Sequence, residues 1–552
     1  MRVLLTNPKL PASFWSLTES CKISSYKTLS PPLGLLTVAA LLPPEWQFRL
    51  VDLNARELTE DDWQWADLVM ITGMLPQREG FLDLIAAARE KRKTSVVGGP
   101  YPTSSTGEVL ETGVNFLVRG EGESTIPLFL AALKEGKIGG VFEIDGKPDM
   151  TASPVPRFDL LNFDDYLTLS IQTSRGCPFD CEFCDVVNLY GRKPRYKAPQ
   201  QVISELETLY RLGWRRQVFI SDDNFIGNKN HARSILDQLI PWMKRHREPF
   251  SFWTQTSVNL GQDLEMIDLM TEANFNHVSM GVESPEADIL AFNRKYQNVR
   301  NPMEESLRAI KANGLCMLAS FVIGFDKEKK GIGDTIIRFV EENSIPMVML
   351  NLLYALPNTA LWTRLQAEGR LLEGPILRDS HGLGFNFIPD RPPAEIVSEY
   401  VHAIDHLYNP SSYLARTYRY FLAMRPTRQA LGLKNDWTPE ETVTHEEVQP
   451  RPDRAREIIA ALKFFWRQGL RPSYRWQFWR QLLGIYRKNP SRLKTYLIEC
   501  AIGEDLFKLR EAILQYWRKS GASYSGPDPE SVSNMGSLPV SLRQEKAARS
   551  MN

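Results

Sequence analysis

Thr173-Ser174-Arg175-Gly176-Cys177-Pro178-Phe179-Asp180-Cys181-Glu182-Phe183-Cys184 packs three of the chain's six cysteines into eight residues. With six cysteines in 552 positions, this C-x3-C-x2-C spacing would arise by chance about 7 × 10⁻⁴ times, so the run reads as a ligand set. Three thiolates hold three irons of a four-iron, four-sulfur (4Fe–4S) cluster, where a ferredoxin site uses four, and the missing ligand leaves one iron open. A zinc site would need a fourth cysteine or a nearby histidine, and the first histidine after the run is His231. Gly176 and Pro178 suit a loop leaving a strand, since glycine tolerates positive φ and proline fixes φ.

On both sides of this run strands alternate with helices. Val3–Leu5, Phe48–Val51, Leu68–Ile71, Ser95–Val97 and Phe116–Val118 read as buried parallel strands, with helical spacing in Leu33–Leu42 and Phe81–Lys91. The alternation predicts a doubly wound, Rossmann-like α/β sheet over residues 1–150. Such sheets bind ligands beyond the carboxyl ends of their strands, where glycine lets the backbone approach. The loops in question are Thr72–Gln77, Gly98–Tyr101 and Arg119–Glu123. Asp149–Asp159, with its prolines and serine, reads as a linker. Residues 165–365 then hold six further strand–helix units, with strands expected at Thr168–Thr173, Gln217–Ser221, Ser251–Thr256, His277–Gly281, Met317–Ile323 and Val348–Leu353. Six such units suit a partial (β/α)6 TIM-type barrel with its chemistry at the carboxyl strand ends. Residues 366–520 read as a helical domain, and 521–552, rich in Ser, Gly and Pro, as a disordered tail.

Lys plus Arg number 66 and Asp plus Glu 66, so no global field points to nucleic acid or to an anionic surface. Charge is local instead. Residues 451–520 hold 16 Lys/Arg against 6 Asp/Glu, interleaved with Trp466, Trp476, Trp479, Tyr486, Tyr496 and Trp517. Amphipathic helices with a solvated basic face are the plain reading of this region. Peripheral attachment to an anionic membrane is a second, and RNA binding, with no recognisable module, a third. Few cysteines fit a reducing cytosol. Met1–Pro8 reads as a strand rather than a secretion signal, and the apolar run Leu33–Leu42 is too short to span a bilayer. A soluble, cytoplasmic protein is expected.

The cysteine spacing resembles that of the radical S-adenosylmethionine (radical-SAM) enzymes, and the resemblance extends over about residues 1–520, most densely 165–330. It implies that Cys177, Cys181 and Cys184 hold the cluster and that the open iron chelates the amino and carboxylate groups of S-adenosylmethionine. Reductive cleavage of that cofactor then gives a 5′-deoxyadenosyl radical. Phe183 matches the family's aromatic lying against the adenine. Ser221-Asp222-Asp223 stands where the family has Gly-Gly-Glu for the cofactor's ammonium, so Asp222 or Asp223 would serve here. Met280-Gly281-Val282-Glu283-Ser284 matches a segment contacting ribose or carboxylate, and Val322-Ile323-Gly324-Phe325 one along the adenine. Ala355–Leu361 resembles the segment closing the barrel, with Asn358 where glycine is usual.

Upstream, the glycine loops and Ser30–Leu36 resemble the cobalamin-binding domain of the cobalamin-dependent class, which implies contacts from Met74, Gln77, Gly98, Gly99, Gly120 and Glu121. The Asp-x-His-x-x-Gly motif that places an imidazole on cobalt is absent. The nearest run is Asp52–Arg56, and all seven histidines lie after residue 230. The lower cobalt face is therefore expected to lack imidazole and to meet the Met74–Arg78 loop, which suits homolytic methyl donation.

The resemblance implies methylation of an unactivated carbon in a small apolar or amphiphilic molecule or a lipid. A subgroup with a helical carboxyl-terminal domain, including the hopanoid 2-methylases, is the nearest in kind. An electron donor of flavodoxin or ferredoxin type is implied, and nucleic acid is not. No side chain is singled out as acid, base or nucleophile. Radical rearrangement or ring-forming oxidation without methyl transfer stays open. So does a cobalamin-binding sensor, against which the intact cysteine triplet speaks. Without a second cysteine cluster the chain does not fit the methylthiotransferases. Cys316 and Cys500 read as buried small hydrophobes and Cys21 as a loop residue near the cobalamin face.

Overall fold

The computed structural model describes residues 1–11, 13–372, 383–433 and 454–519. The expected tail, 521–552, lies outside them. The first sheet holds six parallel strands: β1 (Arg2–Asn7), β2 (Gln47–Asp52), β3 (Leu68–Thr72), β4 (Thr94–Gly98), β5 (Phe116–Val118) and β6 (Gly140–Phe142), in the order β2-β1-β3-β4-β5-β6. The apolar runs are buried on both faces because helices cover both: Leu4 belongs to one cluster with Phe81 and Ile85, Val3 and Leu5 to another with Leu35 and Phe129. The strand order reverses between β1 and β3, so the loops after them diverge and leave a crevice at the carboxyl edge. β6 was not expected; three residues, largely exposed, carry no periodic signal.

The second unit begins with β7 (Leu169–Ile171) and a two-residue antiparallel pairing of β8 (Ser174–Arg175) with β9 (Arg195–Tyr196), which closes the loop between them. It continues through β10 (Gln217–Ile220), β11 (Ser251–Gln255), β12 (Phe275–Glu283), β13 (Cys316–Ile323) and β14 (Met347–Leu352). The sheet runs β14-β13-β12-β11-β10-β7, all parallel, the expected six-stranded partial barrel. Val218, Ile220, Phe252, Val278 and Met317 are fully buried on its convex side against helices. The register aligns Ser170, Phe219, Trp253, His277 and Cys316 in one row on the concave side. Phe219 and Trp253 stack there, with ring centroids 4.1 Å apart.

The carboxyl-terminal helices close the base of this barrel. Glu499, on helix Leu493–Lys519, lies 2.6 Å from His277 Nε2, while His277 Nδ1 lies 2.8 Å from Asn276 Oδ1. Burial and the adjacent Glu499 push the Cys316 thiol well above its ordinary range. Cys316 is thus part of a buried polar triad, not the simple hydrophobe its apolar strand suggested; a partner 183 positions away leaves no local trace. Cys21 also differs from expectation. It is buried on helix Thr18–Ile23, which packs against helix Leu493–Lys519 rather than facing the crevice. Asp505 holds that helix by accepting from the Glu19 and Ser20 amides at 2.7 and 3.0 Å. Among the described residues no helix is long and apolar enough to cross a membrane.

Candidate active site at the barrel mouth

β7 delivers the chain to the cluster loop, and Asp222 fixes the exit. Its carboxylate, fully buried, accepts from the Thr173 and Ser174 amides (2.6 and 3.0 Å), from Ser174 Oγ (2.7 Å) and from Thr173 Oγ1. Gly176 follows with φ +95°, and a Cβ there would stand 2.8 Å from the Gly191 carbonyl oxygen, so only glycine fits the turn. The Gly176 amide donates to Asp223 (2.8 Å). Burial pushes the Asp223 carboxyl up to about 6.

Burial and mutual proximity push the Cys177 thiol up to about 11 and that of Cys184 up to about 12, while the amides of Phe179 and Val186 point at the two sulfurs and oppose the rise. Gln297 Nε2 lies 3.5 Å from Cys181 Sγ. Between the second and third cysteines, Glu182 anchors the loop: Arg364 donates to its carboxylate at 2.7 Å, and the Glu182 amide donates to the Asn293 carbonyl at 3.1 Å. The Phe183 ring lies 5.3 Å from that of Phe325.

Lys295 is the residue that sequence reading missed. Buried beside Cys181 and Cys184, its ammonium pairs with Glu283 at 2.7 Å and lies 5.8 Å from the Phe183 ring centre. Glu283 is held at φ +66° at the strand end, and any Cβ at Gly281 would collide with both partners of the pair. Strain of this kind is retained where the surroundings over-determine it. Ser284, fully buried, accepts from the Glu286 amide (3.2 Å) and so shapes the next turn. Gly324, at φ +107°, donates to the carboxylate of Glu328 (2.7 Å), which burial pushes up to about 8.

The crevice of the first sheet opens onto this mouth as a cavity of about 450 Å³. The loops after β3, β4 and β5 line it, together with Gln172, Arg175, Tyr190, Ser221 and Asp223 from the barrel. Met74, Gln77, Gly98, Gly99, Gly120 and Glu121 all line it too. Two of these are braces. Gln77 turns its amide to Asn7 and the Pro8 carbonyl (3.1 and 2.6 Å), and Glu121 pairs with Arg175 and Arg195 (2.7 and 2.6 Å). Arg78 pairs with Glu108, so Met74, 46% exposed, is the loop's long side chain left facing the cavity.

Residues 21–130 match the family model described as B12 binding domain, 171–336 the radical SAM superfamily, and 359–518 a domain of unknown function (DUF4070). An uncharacterized methyltransferase of Synechocystis sp. is 44% identical over 515 residues, 93% of each chain. The hopanoid C-2 methylase of Rhodopseudomonas palustris is 33% identical over 487 residues, 87% of this chain and 88% of its own. The chain belongs to the cobalamin-dependent radical-SAM methyltransferases. A solved member, the methyltransferase TsrM from Kitasatospora setae with cobalamin and a 4Fe–4S cluster bound, shares the fold. Its TM-score is 0.58 over 84% of this chain and 99% of that one, at 16% identity.

A methyltransferase of this family uses a 4Fe–4S cluster, S-adenosylmethionine and cobalamin, and the residues present fit all three. Soft thiolates supplied by a loop with sulfur-directed amides suit iron. A buried ammonium–carboxylate pair beside them offers complementary charge to an amino acid. Gly120, φ +87°, lines the cavity with open space where a Cβ would stand, so the backbone there is bare to a ligand; Gly99, φ +105°, is glycine because a Cβ would stand 2.6 Å from Thr72 Oγ1. Among the described residues no histidine lines the cavity. Cobalamin reconstituted into this methyltransferase and reduced to the cob(II) state is therefore expected to show no nitrogen superhyperfine splitting from a protein imidazole. A nitrogen triplet that persists with cobinamide would overturn this.

Proposed function

We propose that the protein methylates an unactivated carbon of an apolar or amphiphilic small molecule, with a hopanoid-type lipid the first substrate to test. The observation carrying this reading is the single cavity shared by the glycine loops of the first domain and the mouth of the barrel, with Asp223 and Arg175 common to both. When bound, the cluster with S-adenosylmethionine supplies a hydrogen-abstracting radical and cobalamin a methyl group. The chain's own residues hold and orient. Cys177, Cys181 and Cys184 ligate iron. Lys295 faces the cofactor's carboxylate and Asp223 its ammonium, with Glu283 aligning Lys295 and Phe183 and Gly324 bordering the adenine. Asp222, whose oxygens already accept four hydrogen bonds, acts on the loop instead of on the cofactor. Met74, Gly98, Gly99 and Gly120, which line the cavity, would hold cobalamin.

The substrate would lie along the concave side, over the Phe219–Trp253 stack. An apolar, aromatic floor suits a fused-ring or long-chain skeleton. The hopanoid C-2 methylase likeness supports the same class. The reading brings with it a cytoplasmic setting and a flavodoxin- or ferredoxin-type electron donor. The test is anaerobic incubation of reconstituted protein with S-adenosylmethionine, a reductant and hopanoid lipid. A product heavier by one methylene, with equal S-adenosylhomocysteine and 5′-deoxyadenosine, is expected. Substrate-dependent 5′-deoxyadenosine without S-adenosylhomocysteine would replace methyl transfer by rearrangement or oxidation.

A further inference from the structure

We propose that the carboxyl-terminal helices carry a docking face for an anionic lipid bilayer. Helix Arg454–Phe465 runs on through a π-helical turn, Trp466–Leu470, and helix Arg475–Lys488 follows. Both bury an inner stripe, Phe464 and Gln468 on the first and Phe478, Gln481 and Ile485 on the second. Opposite to it, where a water-facing helix carries polar residues, the first exposes Ile458, Ile459, Leu462 and Trp466. The second exposes Trp476, Trp479, Leu483 and Tyr486, at intervals of three and four that keep them on one side. Leu462 is 67% and Trp476 73% exposed, far beyond what packing within this chain leaves to a core residue.

The two outer stripes adjoin. Trp479 stacks on Phe465 (5.6 Å, 6° between planes) and donates from its indole nitrogen to the Gly469 carbonyl at 2.8 Å. A Cβ at Gly469 would stand 2.8 Å from the same indole, so glycine permits the close turn that brings the helices side by side.

Charge selects the partner. From Ile458 to Ile498 the sequence contains no Asp or Glu and nine Lys/Arg. Inner cations are used within the fold: Arg467 pairs with Glu19 and Glu504, and Arg456 with Asp164. Arg471, Arg480, Arg487 and Lys488 are exposed and have no carboxylate partner among the described residues. Aliphatic side chains for the acyl boundary, Trp and Tyr for the headgroup level and unpaired cations for anionic lipid together describe an interfacial helix pair. RNA would use the cations and aromatic rings but not the Ile458–Ile459–Leu462 stripe. With no crossing helix among the described residues, the contact is one of lying on the surface.

The test is flotation of the full chain, cofactors loaded, with vesicles of phosphatidylcholine alone or with phosphatidylglycerol. Binding to the anionic vesicles, weakened by salt, is expected, with little to the neutral ones. Leu462→Ser/Trp466→Ser/Trp476→Ser and, separately, Arg480→Glu/Arg487→Glu should each lower partitioning by roughly tenfold or more. Iron and cobalamin content should match the parent, which shows that the variants fold. The proposal falls if the parent ignores anionic vesicles or if both variants bind as the parent does. It also falls if single-stranded RNA binds and lipid does not compete. Vesicle binding that needs deletion of the acidic segment 434–453 would assign the face to that segment and overturn it equally.

Discussion

Alanine at Cys177, Cys181 or Cys184 is expected to strip the cluster and reduce S-adenosylmethionine cleavage to background. Each thiolate binds a different iron, and a 4Fe–4S cluster already lacking a fourth protein ligand has none to spare. No other cysteine can step in. Cys316 and Cys500 are buried with the helix that closes the base of the barrel, and Cys21 is buried against the same helix. Gln297 lies near Cys181 but offers an amide, a poor substitute for a thiolate on iron. Iron analysis and the visible charge-transfer absorption of anaerobically reconstituted protein check this without an activity assay. Parent-like iron in all three variants would remove the cluster from this loop.

The second large effect separates two neighbouring carboxylates. Asp222→Ala leaves four buried donors on Thr173 and Ser174 unpaired, each costing about 1–3 kcal/mol. That total is a large part of any domain's stability, and it falls on the residues that set Cys177. Loss of soluble protein or of cluster retention is the expected outcome. In its proposed place beside the cofactor's ammonium, Asp223 would make one charge-assisted bond worth about 1.5–3 kcal/mol, so Asp223→Asn should lower affinity for S-adenosylmethionine about tenfold or more with iron unchanged. Because burial pushes the Asp223 carboxyl up to about 6, it is charged above that pH and neutral below. Cofactor affinity in the parent should therefore drop as pH falls below 6, and the variant should show no such drop. Equal affinity in variant and parent at neutral pH would move the ammonium to another group.

Much of this was legible from residues because its causes are local. Apolar runs alternating with helical spacing gave both sheets, since covering a parallel sheet on two faces demands that pattern. The cysteine triplet and Gly176 declared the loop. What escaped depends on distant partners. Lys295 follows an ordinary helix, and only the curl of the barrel brings it to Glu283 and the cysteines. Asp222 and Asp223 are adjacent and alike in sequence, but the turn after β10 points one inward to Thr173 and Ser174 and leaves the other on the cavity. Gln77 is one of several polar residues in its loop, and its use as a brace is visible only from Asn7 and Pro8, about seventy positions earlier.

Arg175, two residues before Cys177, is clasped by Glu121 and Glu123 at 2.7 and 2.8 Å, with both carboxylates 3% exposed. Separating a buried pair costs roughly 3–5 kcal/mol, so an opened form is roughly one molecule in hundreds to thousands. The cysteine loop and the glycine loop after β5 are thus riveted to a common gauge. Under the proposed function, two jaws at constant spacing would leave selection to the substrate: the carbon modified would be the one whose distance from the skeleton's anchored end brings it into the gap. Altering that floor, by a smaller residue at Trp253 or a larger one at Phe219, should shift the position of modification rather than abolish it.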